Sequence, residues 1–309
     1  MAKKSAFIAI LGRANVGKSS LLNSLIGTKV AIVSDKPQTT RTRIMGVLTN
    51  GENQFVFIDT PGFHKPKNLL DDKMNKQISG GIDDVDAAVL VVDALPPFKF
   101  DYENLPAAET VLLENVKSKK LPCILVINKI DLLEKKDDLL LMIEAYTKKF
   151  DFKAVIPLSA KTGEGVDILK SEICDFLKPS EHYFPSDDFT DQPDQTMTAE
   201  MIREKLLMLL EKEVPHGIAV YIERFFETDS KAGEPIINVE AVIYCERESH
   251  KGIIIGKGGA MLKRVGTLAR RDIENFFGTK VSLKLWVKVK EDWRNREGII
   301  RTLGLDGLS

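Results

Sequence analysis

The chain has 309 residues, 43% of them apolar and 29% charged, which is enough for about two domains with ordinary cores. Its net charge of −1 excludes a uniformly basic surface, and no apolar run approaches the roughly 18 residues of a membrane span. The three cysteines are odd in number and far apart, which excludes a disulfide framework within the chain and fits a reducing, cytoplasmic compartment.

The first predicted element is a short buried strand, Phe7–Leu11, preceded by too few residues for a signal peptide. The loop GRANVGKS follows and fits the pattern G-x-x-x-x-G-K-[ST]. Glycines at both ends let backbone N–H groups close around phosphate oxygens. Lys18 is expected to reach the β and γ phosphates, and the Ser19 hydroxyl to bind Mg²⁺. The predicted contacts of this phosphate-binding loop are Gly12, Arg13, Ala14, Asn15, Val16, Gly17, Lys18, Ser19 and Ser20.

A polar, non-periodic stretch from Ser34 to Arg41 predicts a mobile loop that offers the hydroxyls of Thr39 and Thr40. Two β-rich runs then flank Asn50-Gly51, which predicts a hairpin. The second run ends in the sequence DTPG, Asp59 to Gly62. A carboxylate at this strand end, close to a phosphate loop, is suited to accept a hydrogen bond from a magnesium-bound water.

Three further apolar runs predict buried parallel strands, with helices between them. The predicted strands are Ala87–Val92, Pro122–Ile127 and Ala154–Leu158, and the predicted helices are Ala107–Val116, Lys136–Phe150 and Val166–Leu177. The last two strands end in the sequences NKID (Asn128 to Asp131) and SAK (Ser159 to Lys161). The alternation predicts an α/β doubly wound sheet that binds its ligand at the carboxyl ends of the strands.

The order GxxxxGKS, Thr, DTPG, NKID, SAK resembles the signature motifs of the small GTPases. The resemblance implies that Asp131 accepts two hydrogen bonds from guanine, that Asn128 and Lys129 brace the base, and that the backbone of Ser159-Ala160 meets guanine O6. It also implies a group of catalytic residues and a group of residues that bind magnesium, in which Asp59 acts through a water molecule. The implied catalytic residues are Lys18, Thr40, Asp59, Gly62 and Asn15; the magnesium residues are Ser19, Thr40 and Asp59; and the further nucleotide contacts are Asp59, Thr60, Pro61, Gly62, Phe63, Asn128, Lys129, Ile130, Asp131, Ser159, Ala160 and Lys161.

One departure from the best-known GTPases concerns the attacking water. They carry a glutamine directly after the DxxG motif, where this chain has Phe63. The side chain of phenylalanine cannot orient water, so we expect slow intrinsic hydrolysis. In related GTPases an asparagine at the position of Asn15 holds K⁺ beside the phosphates, which makes K⁺ a second expected cofactor. Asn15 is equally well explained as a turn residue that tolerates unusual φ and ψ.

The stretch from Pro179 to Asp194 has five acidic residues, three prolines and no Lys or Arg. It predicts an acidic, partly extended linker, or alternatively a decoy for a basic surface elsewhere in the protein. The predicted organisation is a GTPase domain over residues 1–178, a linker over 179–197 and a second domain over 198–309.

The second domain begins with an amphipathic helix predicted to open at Thr198. Two strands, a GxxG loop from Gly256 to Gly259, a long helix and a final strand follow. This order resembles an α+β type II KH domain. Of the three isoleucines Ile253 to Ile255, we expect at least two in the core.

The glycines of a GxxG loop let a sugar–phosphate backbone press against the main chain. From Lys251 to Arg301 there are 13 basic and 5 acidic residues, so positive charge is concentrated around this loop, as RNA binding requires. The predicted RNA contacts are Ile255, Gly256, Lys257, Gly258, Gly259, Lys263 and Arg264.

A single GTPase domain followed by a KH domain resembles the Era family of bacterial ribosome-assembly GTPases over nearly the whole chain, including DTPGFHKP and KVKEDWRN. Ala14 and Ser20 replace the family's usual Pro and Thr. The resemblance implies GTP and GDP as ligands, binding to the 3′ end of small-subunit ribosomal RNA in the pre-30S particle, a monomer, and a cytoplasmic location with peripheral contact to the inner membrane. Two alternatives stay open: a membrane-associated regulatory GTPase whose KH-like domain binds protein, and a relative of tandem-domain assembly GTPases.

Overall fold

A computed structural model describes residues 2–36, 38–62, 68–80, 84–94, 103–133, 137–212, 214–230 and 233–306. The chain divides into two compact units. The first comprises Met1–Ala31, Thr40–Pro66 and Asp71–Asp191, and the second comprises Ile32–Thr39, Lys67–Leu70 and Gln192–Ser309. The domain bounds inferred from composition, 1–178, 179–197 and 198–309, stay a prediction.

In the described residues the first unit contains one sheet of seven strands. They are β1 (Lys4–Leu11), β2 (Ile44–Asn50), β3 (Asn53–Asp59), β4 (Ala87–Asp93), β5 (Cys123–Asn128), β6 (Ala154–Pro157) and β7 (Lys178–Pro179). The strand order is β2-β3-β1-β4-β5-β6, with β7 antiparallel beside β1. From β3 to β6 all neighbours are parallel, whereas β2 and β3 form the predicted antiparallel hairpin. The carboxyl ends of the parallel strands therefore share one edge, and the doubly wound class is confirmed.

The helices between and after these strands are α1 (Lys18–Ile26), α2 (Leu69–Gly80), α3 (Ala107–Ser118), α4 (Asp137–Thr147) and α5 (Val166–Glu172). Helices α1 and α5 pack on one face of the sheet, and α3 and α4 pack on the other. Alternate residues of β1 point to opposite cores: Ile8 and Ile10 lie in the cluster that includes residues of α1 and α5, and Ala9 and Leu11 in the cluster that includes residues of α3 and α4. Both faces of β1 are apolar for this reason.

Two predicted helices end earlier than their apolar pattern suggests. Helix α4 ends at Thr147 rather than at Phe150, and α5 gives way after Glu172 to a 3₁₀ turn, Ile173–Phe176. Phe150 and Phe176 still pack against the two cores. An apolar side chain just beyond a helix can therefore continue the helical spacing of apolar residues in the sequence although the backbone hydrogen bonds of the helix have already ended.

The acidic stretch after β7 runs along the hairpin of the first unit. The buried side chain of Gln54 accepts hydrogen bonds from the amides of Tyr183 and Phe184 and donates one to the Phe184 carbonyl. Further along, the amide of Val47 on β2 donates to the Phe189 carbonyl at 2.9 Å. This pairing satisfies backbone groups of an edge strand that would otherwise be open. The pattern of prolines and acidic residues in the sequence does not predict this pairing with the hairpin.

The second unit has the order helix, strand, strand, helix, helix, strand, followed by a short final helix. Its elements are α6 (Asp194–Leu209), β8 (Ala219–Asp229), β9 (Pro235–Cys245), α7 (Glu248–Ile255), α8 (Ala260–Phe277), β10 (Lys280–Val289) and α9 (Glu297–Thr302). The sheet order is β10-β9-β8, with β10 parallel and β8 antiparallel to β9. The predicted type II KH topology is confirmed. Helix α6 begins at Asp194 instead of Thr198, about one turn earlier than predicted, because Pro193 and Asp194 suit a helix start.

The segment Ile32–Thr39 belongs to the second unit, where α6 holds it. The carboxylate of Glu204 accepts a 3.0 Å hydrogen bond from the amide of Val33. The guanidinium of Arg203, only 2% exposed, donates to the carbonyl of Thr39 and pairs with Glu200. Buried charges of this kind stay stable only when they are paired and hydrogen-bonded.

Among the helices described, none combines the length and the apolarity needed to cross a bilayer.

Candidate nucleotide site and RNA-binding loop

The loop between β1 and α1 is built on two glycines with positive φ. At Gly12, with φ 149°, a Cβ would lie 2.3 Å from the carbonyl oxygen of Val91. At Gly17, with φ 97°, a Cβ would lie 2.2 Å from Nδ2 of Asn128. Both contacts exclude any side chain, so glycine is required at each end of the loop. Helix α1 starts at Lys18 and directs its amino end at the loop, a favourable arrangement for an anion.

Lys18 is the buried cation of this loop. It is 6% exposed, and its Nζ donates to the carbonyls of Gly12 at 3.0 Å and Arg13 at 2.9 Å. Burial lowers the pKa of Lys18 to about 8, and the nearby carboxylate of Asp59 opposes that shift. A phosphate beside the ammonium would favour its charged form.

Ser19, Thr40 and Asp59 converge as predicted. The Oγ of Ser19 lies 2.9 Å from the hydroxyl of Thr40 and donates to Oδ2 of Asp59 at 2.7 Å. Asp59 is fully buried, and its Oδ1 has no hydrogen-bond partner among the described residues. Burial raises the pKa of Asp59, while Lys18 and the Ser19 hydrogen bond lower it.

These three groups fit Mg²⁺. The ion prefers oxygen ligands, keeps several waters and binds through few carboxylates, and the buried Asp59 Oδ1 lacks a partner that a metal-bound water would supply. Across the described part of the chain, no cluster of three or more His, Cys, Asp or Glu side chains offers a different metal site.

Asn128, at the end of β5, connects all three loops of the site. Its Nδ2 donates to the carbonyl of Val16 at 2.8 Å, and its Oδ1 accepts from the amide of Ala160 at 2.9 Å. The next residue, Lys129, has φ 66° and donates from Nζ to the carbonyl of Asn15 at 2.5 Å. The phosphate loop, the NKID loop and the SAK loop are therefore tied to one another by hydrogen bonds of the protein itself.

Asp131 lies exposed in the short 3₁₀ turn after Lys129, where one of its oxygens is held. Oδ1 accepts a 2.7 Å hydrogen bond from the hydroxyl of the buried Ser159. The amide of Ile130 donates to the Leu158 carbonyl, which closes the turn against β6. The prediction for Ser159 concerned its backbone alone, so the role of its hydroxyl emerges only from the structure.

The DTPG segment packs against the phosphate loop. Thr60 and Pro61 are buried, and a Cβ on Gly62 would lie 2.5 Å from Cα of Ala14. A glycine at position 62 is therefore imposed by the small separation between two backbones. Phe63, on which the prediction of slow hydrolysis depends, lies outside the described residues.

Asn15 adopts φ 65° at an exposed position of the loop. This conformation accounts for an asparagine without any cation, so both explanations of Asn15 remain open. Ser20 is partly buried in the first turn of α1, and Lys161 is exposed beyond Ala160.

The GxxG loop of the second unit joins α7 to α8. Gly256, Gly258 and Gly259 all have positive φ, at 72°, 58° and 80°. A Cβ on Gly256 would lie 2.7 Å from Cβ of Met261, whereas one on Gly258 or Gly259 would meet nothing within 4 Å. Open space in front of these two glycines is what a nucleic acid backbone needs for close approach.

Basic side chains surround this loop. Lys257 is exposed, Lys263 and Arg264 lie in the first turns of α8, and Ile255 is partly buried. Of the neighbouring isoleucines only Ile254 is fully buried, and Ile253 is 50% exposed. The expectation that at least two of the three would lie in the core is wrong: of these isoleucines Ile254 alone belongs to the core, because α7 is a short helix with one inner face.

A carboxylate outside the sequence motifs lies at the same edge of the sheet. Asp93 ends β4, at the same edge as Asp59 and Asn128. The signal that identifies it is the rule that polar residues ending parallel strands line the ligand crevice. The motifs themselves do not include this position.

Comparison with known proteins agrees with the geometry. A family model described as a 50S ribosome-binding GTPase matches residues 7–129, and a KH-domain model matches residues 213–294. The chain is 47% identical over 305 residues to GTPase Era of Ruminiclostridium cellulolyticum, with 98% of each chain covered. It is also 47% identical over 301 residues to GTPase Era of Clostridioides difficile, covering 97% of this chain and 98% of the relative.

Two solved structures resemble the full chain, each with a TM-score of 0.90, 37% identity, and coverage of 98% of this chain and 99% of the other. One is a single-residue variant of Aquifex aeolicus Era bound to GDP·AlF4⁻. The other is Era in complex with MgGDPNP and nucleotides 1506–1542 of 16S ribosomal RNA.

Proposed function

This chain belongs to the Era family of GTPases, and from that premise we propose that GTP binding and hydrolysis in its first unit control the binding of its KH domain to the 3′ region of small-subunit ribosomal RNA during assembly of that subunit. The observation that carries the proposal is Asn128, which joins the phosphate loop to both base-binding loops at 2.8 and 2.9 Å. That arrangement places the loops predicted to bind the phosphates beside the loops predicted to bind the base, as a single bound nucleotide requires.

The residues of the first unit divide the recognition of GTP between them. Lys18 and the amino end of α1 would bind the phosphates. Ser19, Thr40 and, through a water, Asp59 would hold a magnesium ion, which would neutralise phosphate charge. Asp131, oriented by Ser159, accepts hydrogen bonds from the guanine ring N–H and amine, groups that adenine does not present together. Water attack on the γ phosphate then gives GDP and phosphate.

Slow hydrolysis that depends on K⁺ forms part of the proposal. Phe63 supplies no group to orient the attacking water. Asn15 stands at the exposed rim of the phosphate loop, where its side chain can help to hold a monovalent cation beside the β and γ phosphates. A cation there would compensate charge that develops in the transition state.

The GxxG loop supports RNA binding by the second unit. Gly258 and Gly259 leave open space for a sugar–phosphate backbone, and Lys257 and Lys263 supply charge beside it. One structure similar to this chain is the complex of Era with nucleotides 1506–1542 of 16S ribosomal RNA. Single-stranded RNA of that 3′ region is therefore the proposed ligand.

Nucleotide control of RNA binding is tested by titration. RNA of the small-subunit 3′ end is added to the full chain loaded with GDP or with a non-hydrolysable GTP analogue. Coupled sites should give affinities that differ by roughly 5- to 150-fold, and RNA should change the affinity for the GTP analogue by the same factor. Identical RNA affinities in the two states would show that the KH domain anchors the chain to RNA without responding to the bound nucleotide.

The alternative is a regulatory GTPase whose KH-like domain binds protein. Capture of binding partners from lysate, with and without nuclease, distinguishes the two functions. RNA-dependent capture of ribosomal particles supports the proposal, and nuclease-resistant capture of a protein favours the alternative.

A cytoplasmic monomer with peripheral contact to the inner membrane completes the proposal, and fractionation of cells tests that location.

A further inference from the structure

Asp93 lies between the two loops that contact the nucleotide. Strand β4 is placed between β1, which leads into the phosphate loop, and β5, which leads into the NKID loop. In the sheet register Asp93 is the partner of Asn128. Its carboxylate therefore stands at the carboxyl edge of the sheet, 20% exposed.

The two oxygens of Asp93 contact cations from two different loops. Oδ1 lies 2.9 Å from Nη2 of Arg13 in the phosphate loop, and Oδ2 lies 3.7 Å from Nζ of Lys129 in the NKID loop. Lys129 in turn donates to the carbonyl of Asn15 at 2.5 Å. One carboxylate thus pairs with a positive side chain from each of the two loops.

Arg13 is also held from behind by a buried carboxylate. Its Nε donates to Glu109 at 2.5 Å, and the second oxygen of the fully buried Glu109 accepts a hydrogen bond from the hydroxyl of Tyr146. Burial raises the pKa of Glu109, and Tyr146 and Arg13 oppose that shift. The carbonyl of Arg13 accepts from Lys18 at 2.9 Å, so a displaced Arg13 would move the lysine that binds phosphate.

A plain structural ion pair is the alternative explanation, and the same strand supplies an example of it. Asp86 precedes β4, at the end opposite Asp93, and has the same 20% exposure. It pairs with Lys178 at 2.7 Å and accepts from the amide of Phe7 at 2.8 Å. Neither partner belongs to a nucleotide-binding loop. Asp86 is therefore a matched control: a carboxylate on the same strand that forms an ion pair but has no role at the site.

We propose that Asp93 is a positioning residue for guanine nucleotide, which acts by holding Arg13 and Lys129 in the places that the phosphates and the base require. This inference rests on the nucleotide site proposed above. Asp93 does not touch the reacting atoms, so its loss should weaken the binding of GTP and GDP alike. The rate of hydrolysis at saturating GTP and the preference for guanine should stay unchanged, because Glu109 still holds Arg13 and so keeps Lys18 in place.

The first test compares Asp93→Asn with Asp86→Asn in the full chain. We expect Asp93→Asn to raise the Kd for GDP and for a GTP analogue about 10-fold, mainly through faster dissociation, with kcat within about 2-fold of the wild type. Asp86→Asn should leave both Kd values unchanged while it lowers thermal stability to a similar degree. Asp93→Ser, which removes the charge with a smaller side chain, should repeat the effect of Asp93→Asn.

The second test is a double-mutant cycle with Lys129→Met. If Asp93 acts through Lys129, the effect of Asp93→Asn on the Kd for GDP should be smaller in the Lys129→Met background than in the wild type. The inference would be overturned if the increases in Kd caused by Asp93→Asn and Lys129→Met simply multiply in the double variant. It would also be overturned if both Asp93 variants bind GDP as the wild type does, or if Asp86→Asn weakens GDP binding as much as Asp93→Asn. Failure of the wild type to bind GTP or GDP would instead overturn the nucleotide site itself, which separates the two failures.

Discussion

The hydroxyl of Ser159 lies 2.7 Å from Oδ1 of Asp131 and orients the carboxylate for which we propose base recognition. Ser159 is fully buried, whereas Asp131 is exposed on the loop after β5. The buried donor thus orients an acceptor that stands at the surface, where a base can reach it. The orientation of this carboxylate is therefore set by a hydrogen bond within the protein.

Asp131→Asn should change the base that is preferred. The amide can donate to the 2-keto group of xanthine but cannot accept both guanine hydrogen bonds. A hydrogen bond to a charged group contributes about 1.5–3 kcal/mol, so affinity for GTP should fall roughly 10- to 150-fold while affinity for XTP rises. Competition between labelled GDP and XDP measures it. A variant that still prefers GTP would show that Asp131 does not contact the base.

Hydrolysis should respond to the monovalent cation. We expect K⁺ to accelerate turnover by the full chain and Na⁺ to substitute poorly, with Asn15→Ala abolishing the difference but retaining GDP binding. Phosphate release in matched KCl and NaCl buffers measures the effect. Equal rates in both salts would leave the positive φ of Asn15 as the whole reason for an asparagine there.

Lys18 should make the stability of the nucleotide-free protein depend on pH. Its pKa is about 8 when folded, against 10.5 for the ordinary side chain, so the unfolded state binds more protons between these values. The free energy of unfolding should therefore rise with pH from about 8 to 10.5, by at most about 3 kcal/mol.

Thermal unfolding of the wild type and Lys18→Met at pH 7.5 and pH 10 isolates this contribution, because other groups titrate in both proteins. The variant should lack the rise and should also lose the stabilisation that GDP gives the wild type. Parallel pH profiles for the two proteins would refute the assignment of the lowered pKa to Lys18.

Charge beside the GxxG loop should control the salt dependence of RNA binding. Lys257→Ala with Lys263→Ala should reduce the slope of log K against log salt by about 0.7 for each phosphate that is no longer neutralised. A matched control is Lys284→Ala with Lys288→Ala on β10, which removes the same charge from side chains paired with Glu240 and Glu223. Equal slopes for the two double variants would place the RNA elsewhere.

The sequence alone determined the fold classes and most of the candidate site. The glycines at positions 12, 17, 256 and 259 and the apolar strands that end in polar motifs encode local geometry, and local geometry is readable because each motif lies within a few consecutive residues. The motifs of the first unit also fall on strand ends, and parallel strands bring their carboxyl ends to one edge.

Contacts between residues far apart in the chain were decided only by the tertiary structure. Gln54 binds the stretch around Tyr183, Ser159 orients Asp131, and Asp93 forms ion pairs with Arg13 and Lys129. No spacing rule links such partners, because their separation along the chain is set by the intervening helices and loops. A polar side chain acquires its partner only when packing of the sheet fixes which strand ends are neighbours.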